Sequence, residues 1–334
     1  MSLKRRKIGP FEVSSIGFGC MSLSHAYNPP VSDEQADRVL NRALDLGCDF
    51  IDTAALYGFG HNETTLGKFI SSRRGEFTLA SKCGMTGVNG VRVIDGRPET
   101  IKATCDDSLQ RLKTDVIDLY SLHRLDRKVP IEDSAGALAD LVGAGKIRTI
   151  GLSEVSADTL RRAHAVHPVT AVQSEYSLWT RNTEVAVLEA CREIGATLVA
   201  FSPVARGFLT GKLGAHSQFE GKDIRSAMPR FQGENWKQNL VLLGEFEDVA
   251  AEVGCTPAQL ALAWLLHRAP HIVPIPGTKE LDHLEENVGA LEVSLTPEVM
   301  ATLDALINPK TVVGPRYNAA TQAEIDTEEL PEAA

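Results

Sequence analysis

No stretch of the 334-residue chain approaches the roughly 18 consecutive apolar residues of a membrane-crossing helix. No apolar segment follows the basic start MSLKRRKIGPFEV, so a secretory signal is not expected. None of the six cysteines (Cys20, Cys48, Cys83, Cys105, Cys191, Cys255) forms a CxxC pair, which reads as buried, reduced thiols in a cytoplasmic protein. The nine histidines contain no HExxH, and no cysteine or carboxylate cluster joins His164 and His167, so no metal site is expected. An excess of positive charge is also missing. The net charge of −10 disfavours nucleic acid and anionic membrane as partners, and the oligomeric state is not legible. Phosphate-binding signatures are absent too. GFGCMS (17–22) and GFGHNE (58–63) both lack the last glycine of GxGxxG, and there is no GxxxxGK[ST].

What is present is alternation. Composition is that of a globular protein, 43% hydrophobic and 23% charged. Short apolar runs bounded by turn residues read as strands: 15–19, 49–53, 77–82, 116–123, 147–153, 170–176, 197–203 and 272–277. Helical spacing fills the intervals. Over 33–47, Ala36, Val39, Leu40, Ala43 and Leu44 form one face, Ser32 with Gln35 reads as a capping box, and Gly47 as the stop. Pro98 is placed to open a helix carrying Ile101, Cys105, Leu109 and Leu112. Val185, Leu188 and Cys191 share a face before Gly195, and Thr256-Pro257 and Thr296-Pro297 each read as an N-cap followed by proline. Eight strand–helix units without a dinucleotide fingerprint favour an α/β (β/α)8 TIM barrel over an open doubly wound sheet. No linker divides the chain, so residues 1–334 are expected to form a single domain. Two stretches break the rhythm, 83–97 and 204–237, both after strand C-termini, where barrel active sites lie. The acidic tail, 318–334, is expected to be flexible.

Four polar residues fall at three successive strand ends: Asp52 and Tyr57, then Lys82, then His123. In a barrel these ends are neighbours on one rim. Alone, each has an ordinary explanation, as a loop cap, a solvated lysine or a structural histidine. Together they suit carbonyl reduction, which needs a hydride at carbon and a proton at oxygen. Lys82 beside Tyr57 would lower the phenol pKa from about 10, Asp52 would hold Lys82, and His123 would polarise the carbonyl.

These segments, DTAALYG, TLASKCG and DLYSLHRLD, match in order and spacing the catalytic segments of the aldo-keto reductase superfamily, which the chain resembles over nearly its whole length. GLSEVSADTLRRA, FSPVARGFLTGK, PRFQGENWKQN and PIPGTKELDHLEENVGAL are similar to the long-chain microbial and plant members. The resemblance implies a barrel with an N-terminal β-hairpin and long C-terminal-face loops. It also implies NADPH/NADP+ preferred over NADH, a small carbonyl substrate, and the tetrad Asp52, Tyr57, Lys82 and His123. Carried over position by position, it implies that Ser153 and Gln173 hold the carboxamide and Phe201 stacks on the nicotinamide. Ser202, Pro203, Gly207, Leu209, Lys212 and Arg225 would attend the pyrophosphate. Gly277, Lys279 and His283 would attend the 2′-phosphate, and Glu286 and Asn287 the adenine; Met21 and Asp52 complete the cofactor set. Two departures stand out. Glu154 replaces a usual asparagine beside the carboxamide, and Lys279 and His283 stand where arginine is common. Trp179, Phe231, Trp236 and Tyr317 are candidate pocket walls. Two other readings are a cofactor-sensing regulatory subunit and a barrel lyase using Tyr57 and Lys82. Channel-associated relatives carry asparagine at the position of His123, which favours the enzyme here. Asp52 beside Lys82 argues against the neutral lysine that a Schiff base needs.

Overall fold

The computed structural model describes residues 3–24, 26–27, 29–88 and 91–330. The strands are β1 (Arg5–Ile8), β2 (Phe11–Ser14), β3 (Phe18–Gly19), β4 (Phe50–Asp52), β5 (Thr78–Cys83), β6 (Met85–Val88), β7 (Val91–Ile94), β8 (Ile117–Leu122), β9 (Ile147–Ser153), β10 (Val169–Glu175), β11 (Thr197–Phe201) and β12 (Ile272–Pro274). The helices are α1 (Asp33–Asp45), α2 (His61–Phe69), α3 (Pro98–Leu112), α4 (Ile131–Gly143), α5 (Ala157–Val166), α6 (Val187–Ile194), α7 (Gly233–Val253), α8 (Pro257–Arg268), α9 (Leu281–Gly289), α10 (Pro297–Leu306) and α11 (Ala319–Gln322).

Eight parallel strands run in the order β12-β11-β10-β9-β8-β5-β4-β3. Gly17 N donates to Pro274 O (2.9 Å) and Gly19 N to Pro276 O (3.2 Å), which brings β12 back onto β3 and closes the barrel. Glycine is required at this seam, because a Cβ on Gly19 would sit 2.8 Å from Ile275 O. The interior is packed. Phe50, Ala80, Leu119, Ala171, Val199 and Val273 point inward from six strands, and Ile8 and Val13 of the β1–β2 hairpin join them. The hairpin therefore plugs the N-terminal end and leaves the C-terminal rim for chemistry.

Local sequence signals account for most helix starts. Thr256 and Gln259 form a full capping box on α8, Thr296 caps α10, and Pro98 and Pro297 open their helices. The box expected at α1 is only half made. Ser32 accepts from Gln35 N, but the Gln35 side chain donates to Lys279 O at 2.8 Å. Val185 is not on the buried face of α6. It precedes that helix and is exposed, and Val187, Ala190 and Cys191 are buried instead. Residues 85–94 form an antiparallel hairpin rather than an irregular loop, with Asn89 and Gly90 outside the described residues.

The tail corrects the expectation of flexibility. Asp326 Oδ2 accepts from Ser156 N at 3.0 Å, and Glu328 Oε1 accepts from Ala157 N at 2.7 Å, at the N-terminus of α5. Thr327 and Ile325 are buried. The acidic composition that suggested fraying is what docks the segment, because helix N-termini offer free N–H groups to carboxylates. Residues 331–334 lie outside the described residues.

Candidate active site

The strand ends converge as expected. Asp52 closes β4, Lys82 is in β5, and His123 follows β8. Lys82 Nζ donates to Asp52 Oδ2 at 2.7 Å, to Thr53 O at 2.8 Å and to Tyr57 Oη at 3.2 Å. The Tyr57 ring meets the His123 ring edge-on, with centroids 5.8 Å apart. All four side chains are buried. Tyr57 opens a tight turn after β4, and the chain continues beyond it through Gly58 at φ +59°.

Electrostatics at this cluster differ from the sequence expectation in one respect. Burial raises the Tyr57 pKa above its ordinary 10 and outweighs the lowering by Lys82, with Asp52 adding to the rise. The phenol therefore holds its proton through neutral pH. For Lys82, burial works to lower the pKa, but Asp52 and Tyr57 more than reverse it, so the amine stays a cation. The group is thus a buried ion pair with a protonated phenol at its edge, aimed at the rim.

Gln173, at the end of β10, donates from Nε2 to Asp52 Oδ1 at 2.7 Å. Ser153, at the end of β9, accepts at Oγ from Arg124 Nη1 at 3.2 Å.

The sequence model of the Aldo/keto reductase family matches residues 15–308. The NADP(+)-designated aldo-keto reductase yakc of Schizosaccharomyces pombe is 45% identical over 99% of this chain and 100% of its own length. The chain belongs to the aldo/keto reductase family. The probable aldo-keto reductase 1 of Glycine max is 43% identical over 92% of this chain and 89% of its own. Among solved structures, glycerol dehydrogenase AKR11B4 from Gluconobacter oxydans superposes with a TM-score of 0.85 at 29% identity, covering 96% of this chain and 99% of its own. The Klebsiella pneumoniae aldo/keto reductase in complex with NADP and acetate superposes with a TM-score of 0.71 at 26% identity, covering 95% of this chain and 99% of its own. The (β/α)8 barrel is therefore shared with solved members of the family.

The remaining candidate cofactor positions lie in the turn after β3, in the segments after β11 and β12, and on α9. Met21 is in the turn after β3, Phe201 ends β11, and Ser202 (φ +50°) and Pro203 follow it. Gly207 has φ +91°, and Arg225, held by Asp223 at 2.7 Å, lies against it. The Leu209 side chain is fully buried in the core. Lys212 is exposed and makes no ion pair among the described residues. Gly277 approaches the backbone of Gly19 so closely that a Cβ would meet Gly19 O at 2.6 Å. Lys279 lines a cleft of about 210 Å³ with Gln35 and Arg38 of α1 and with Glu280 and Asp282. His283 is exposed on α9, where Glu286 is half-buried and Asn287 buried. Helix α9 starts at Leu281, four residues beyond Gly277.

Glu154 does not face the site. It is fully buried with φ +54°, paired with Arg316, and accepts from Glu175 N at 2.8 Å and Thr327 Oγ1 at 2.9 Å. Of the four candidate walls, Trp179, Phe231 and Trp236 pack together with Phe208, whereas Tyr317 donates to Glu175 Oε2 at 2.6 Å. Three residues escaped the sequence reading: Arg124, Arg38 and Arg316. Arg124 directly follows His123 in the motif, which was the one available signal. The other two are joined to the site only by folding.

Proposed function

We propose that this aldo/keto reductase uses NADPH to reduce aldehyde and ketone carbonyls to alcohols, with Tyr57 as general acid. The observation that carries this reading is the hydrogen bond from Lys82 Nζ to the protonated Tyr57 phenol inside a buried ion pair. Bound reduced nicotinamide would supply the hydride. Tyr57 would give its proton to the developing alkoxide, and the Lys82 cation would stabilise the phenolate left behind. Asp52 would keep Lys82 charged and aimed, and His123 would orient the carbonyl oxygen.

The donor set fits a primary carboxamide. Gln173 spends one of its two N–H groups on Asp52, and its Oε1 can accept from an amide NH2. Ser153 accepts from Arg124, which leaves its hydroxyl hydrogen to donate to an amide oxygen. Two cations without a carboxylate partner among the described residues, Lys212 and Lys279, suit the pyrophosphate and the 2′-phosphate. Phe201 would stack on the nicotinamide, the backbone of 202–209 and Arg225 would cover the pyrophosphate, and His283, Glu286 and Asn287 would meet the adenosine end.

The deciding experiment follows absorbance at the reduced-nicotinamide band with NADPH and a panel of aldehydes and ketones. Turnover supports the reading, whereas NADPH binding without turnover across the panel would favour the regulatory alternative. Two further results are expected. Lys279→Glu raises the KM for NADPH by roughly tenfold, the equivalent of ~1.4 kcal/mol, and leaves that for NADH nearly unchanged. Equal losses for both cofactors would remove Lys279 from the 2′-phosphate site. The second concerns pH. Because burial raises the Tyr57 pKa above 10, the reduction rate constant should be flat from neutral to mildly alkaline pH and fall only beyond the ordinary phenol value. A decline centred near neutrality in a pH–rate profile would contradict the protonated phenol.

A further inference from the structure

Beside the site lies a buried charge cluster whose signs do not balance. Three guanidiniums, Arg206, Arg230 and Arg316, share it with two carboxylates, Glu154 and Glu175, and all five residues are at most 9% exposed. The carboxylate oxygens are fully engaged. Glu154 takes Arg316, Glu175 N and Thr327 Oγ1. Glu175 Oε2 takes Arg206 (2.8 Å), Arg316 (3.3 Å) and Tyr317 Oη (2.6 Å), and its Oε1 takes Thr180 Oγ1 (3.1 Å).

Arg230 is left with neutral acceptors. It donates to Trp179 O, to Thr180 Oγ1 at 3.1 Å and to Gly314 O at 3.0 Å, and it has no ion pair among the described residues. Burial lowers its pKa to about 10, which still leaves it charged at neutral pH. Arg206 Nε, also buried, has no hydrogen-bond partner among the described residues. A buried donor without a partner is costly, and a buried charge without a counter-charge more so.

These groups surround a cavity of about 10 Å³. Arg206, Arg230, Arg316 and Glu175 line it, together with Trp179 and Phe231. That is room for roughly one water-sized sphere. The cluster around the cavity therefore combines one net positive charge, an unused N–H and space for a single small particle.

We propose that this cavity binds one small monovalent anion of chloride size. The ion would accept from Arg206 Nε and neutralise the surplus guanidinium. It would also add to the contacts that already join three segments: the turn Ala205–Thr210, whose Arg206 Nη2 donates to Tyr317 Oη at 2.9 Å, the turn Pro229–Phe231, whose Arg230 Nε donates to Gly314 O, and the stretch 314–317. Glu175 is the one carboxylate on the wall. Its Oε2 is covered by three donors, so it is screened from the ion.

The test is a titration of the full-length protein with chloride against gluconate, which is too large for the cavity, at constant ionic strength. The thermal midpoint should rise saturably with chloride and not with gluconate, as ligand linkage requires. Arg230→Met removes the surplus charge and should abolish the saturable rise. Crystals grown in bromide should carry an anomalous peak between Arg206, Arg230 and Arg316, and this result decides the matter even where Arg230→Met does not fold. Equal responses to chloride and gluconate, or water in place of bromide in the cavity, would overturn the proposal.

Discussion

Tyr57→Phe is expected to lower kcat for carbonyl reduction by on the order of 10²- to 10⁴-fold, the range associated with a positioned general acid. Cofactor affinity should change little. The substitution removes one hydroxyl, which accepts from Lys82 Nζ at 3.2 Å. Lys82 keeps its stronger bonds to Asp52 at 2.7 Å and Thr53 O at 2.8 Å, so the ion pair survives. The ring itself remains, with its edge-on contact to His123 at 5.8 Å. The result should therefore be a loss in kcat with an unchanged dissociation constant for NADPH, measured by quenching of tryptophan fluorescence. Parent-level turnover by Tyr57→Phe would show that another group supplies the proton.

Lys82→Met should damage both turnover and the fold. The lysine is 1% exposed and its carboxylate partner 3%, so the variant strands a buried carboxylate whose remaining side-chain donor among the described residues is Gln173. Breaking one side of a buried pair costs roughly 3–5 kcal/mol. The urea midpoint should drop accordingly, with an unchanged dependence on denaturant. Adding Asp52→Asn removes the stranded charge, and the double variant should recover much of the lost stability while remaining inactive. That split separates the two roles of the pair, because a residue needed only for folding would regain activity together with stability. A Lys82→Met protein as stable as its parent would mean that the pair is not buried in solution.

On the proposed mechanism, the positive charge of Lys82 would let a phenol of raised pKa act as an acid. Burial disfavours phenolate in the resting site, so the proton is retained until an acceptor arrives. The cation would then stabilise the phenolate formed as the proton leaves. The sequence reading anticipated the second effect but not the first, because burial is not a property of neighbouring residues in the chain.

The sequence by itself determined the architecture and the candidate cluster. Alternating apolar runs and capped helices specify strand–helix units, and Asp52, Tyr57, Lys82 and His123 are legible because each belongs to a strand or to the turn directly after it. Their convergence follows from parallel strands sharing one rim. Tertiary structure alone decided how the remaining charges pair. With 34 basic and 44 acidic side chains, no local rule selects Arg316, 162 residues away, as the partner of Glu154. Nor does any local rule send the acidic tail to the N-terminus of α5, or assign the Gln35 side chain to Lys279 O instead of its own helix cap. The physical reason is the same in each case. Caps and strand periods are set by backbone geometry within a few residues, whereas the partner of a charge is set by which distant surface the fold brings against it and shields from water.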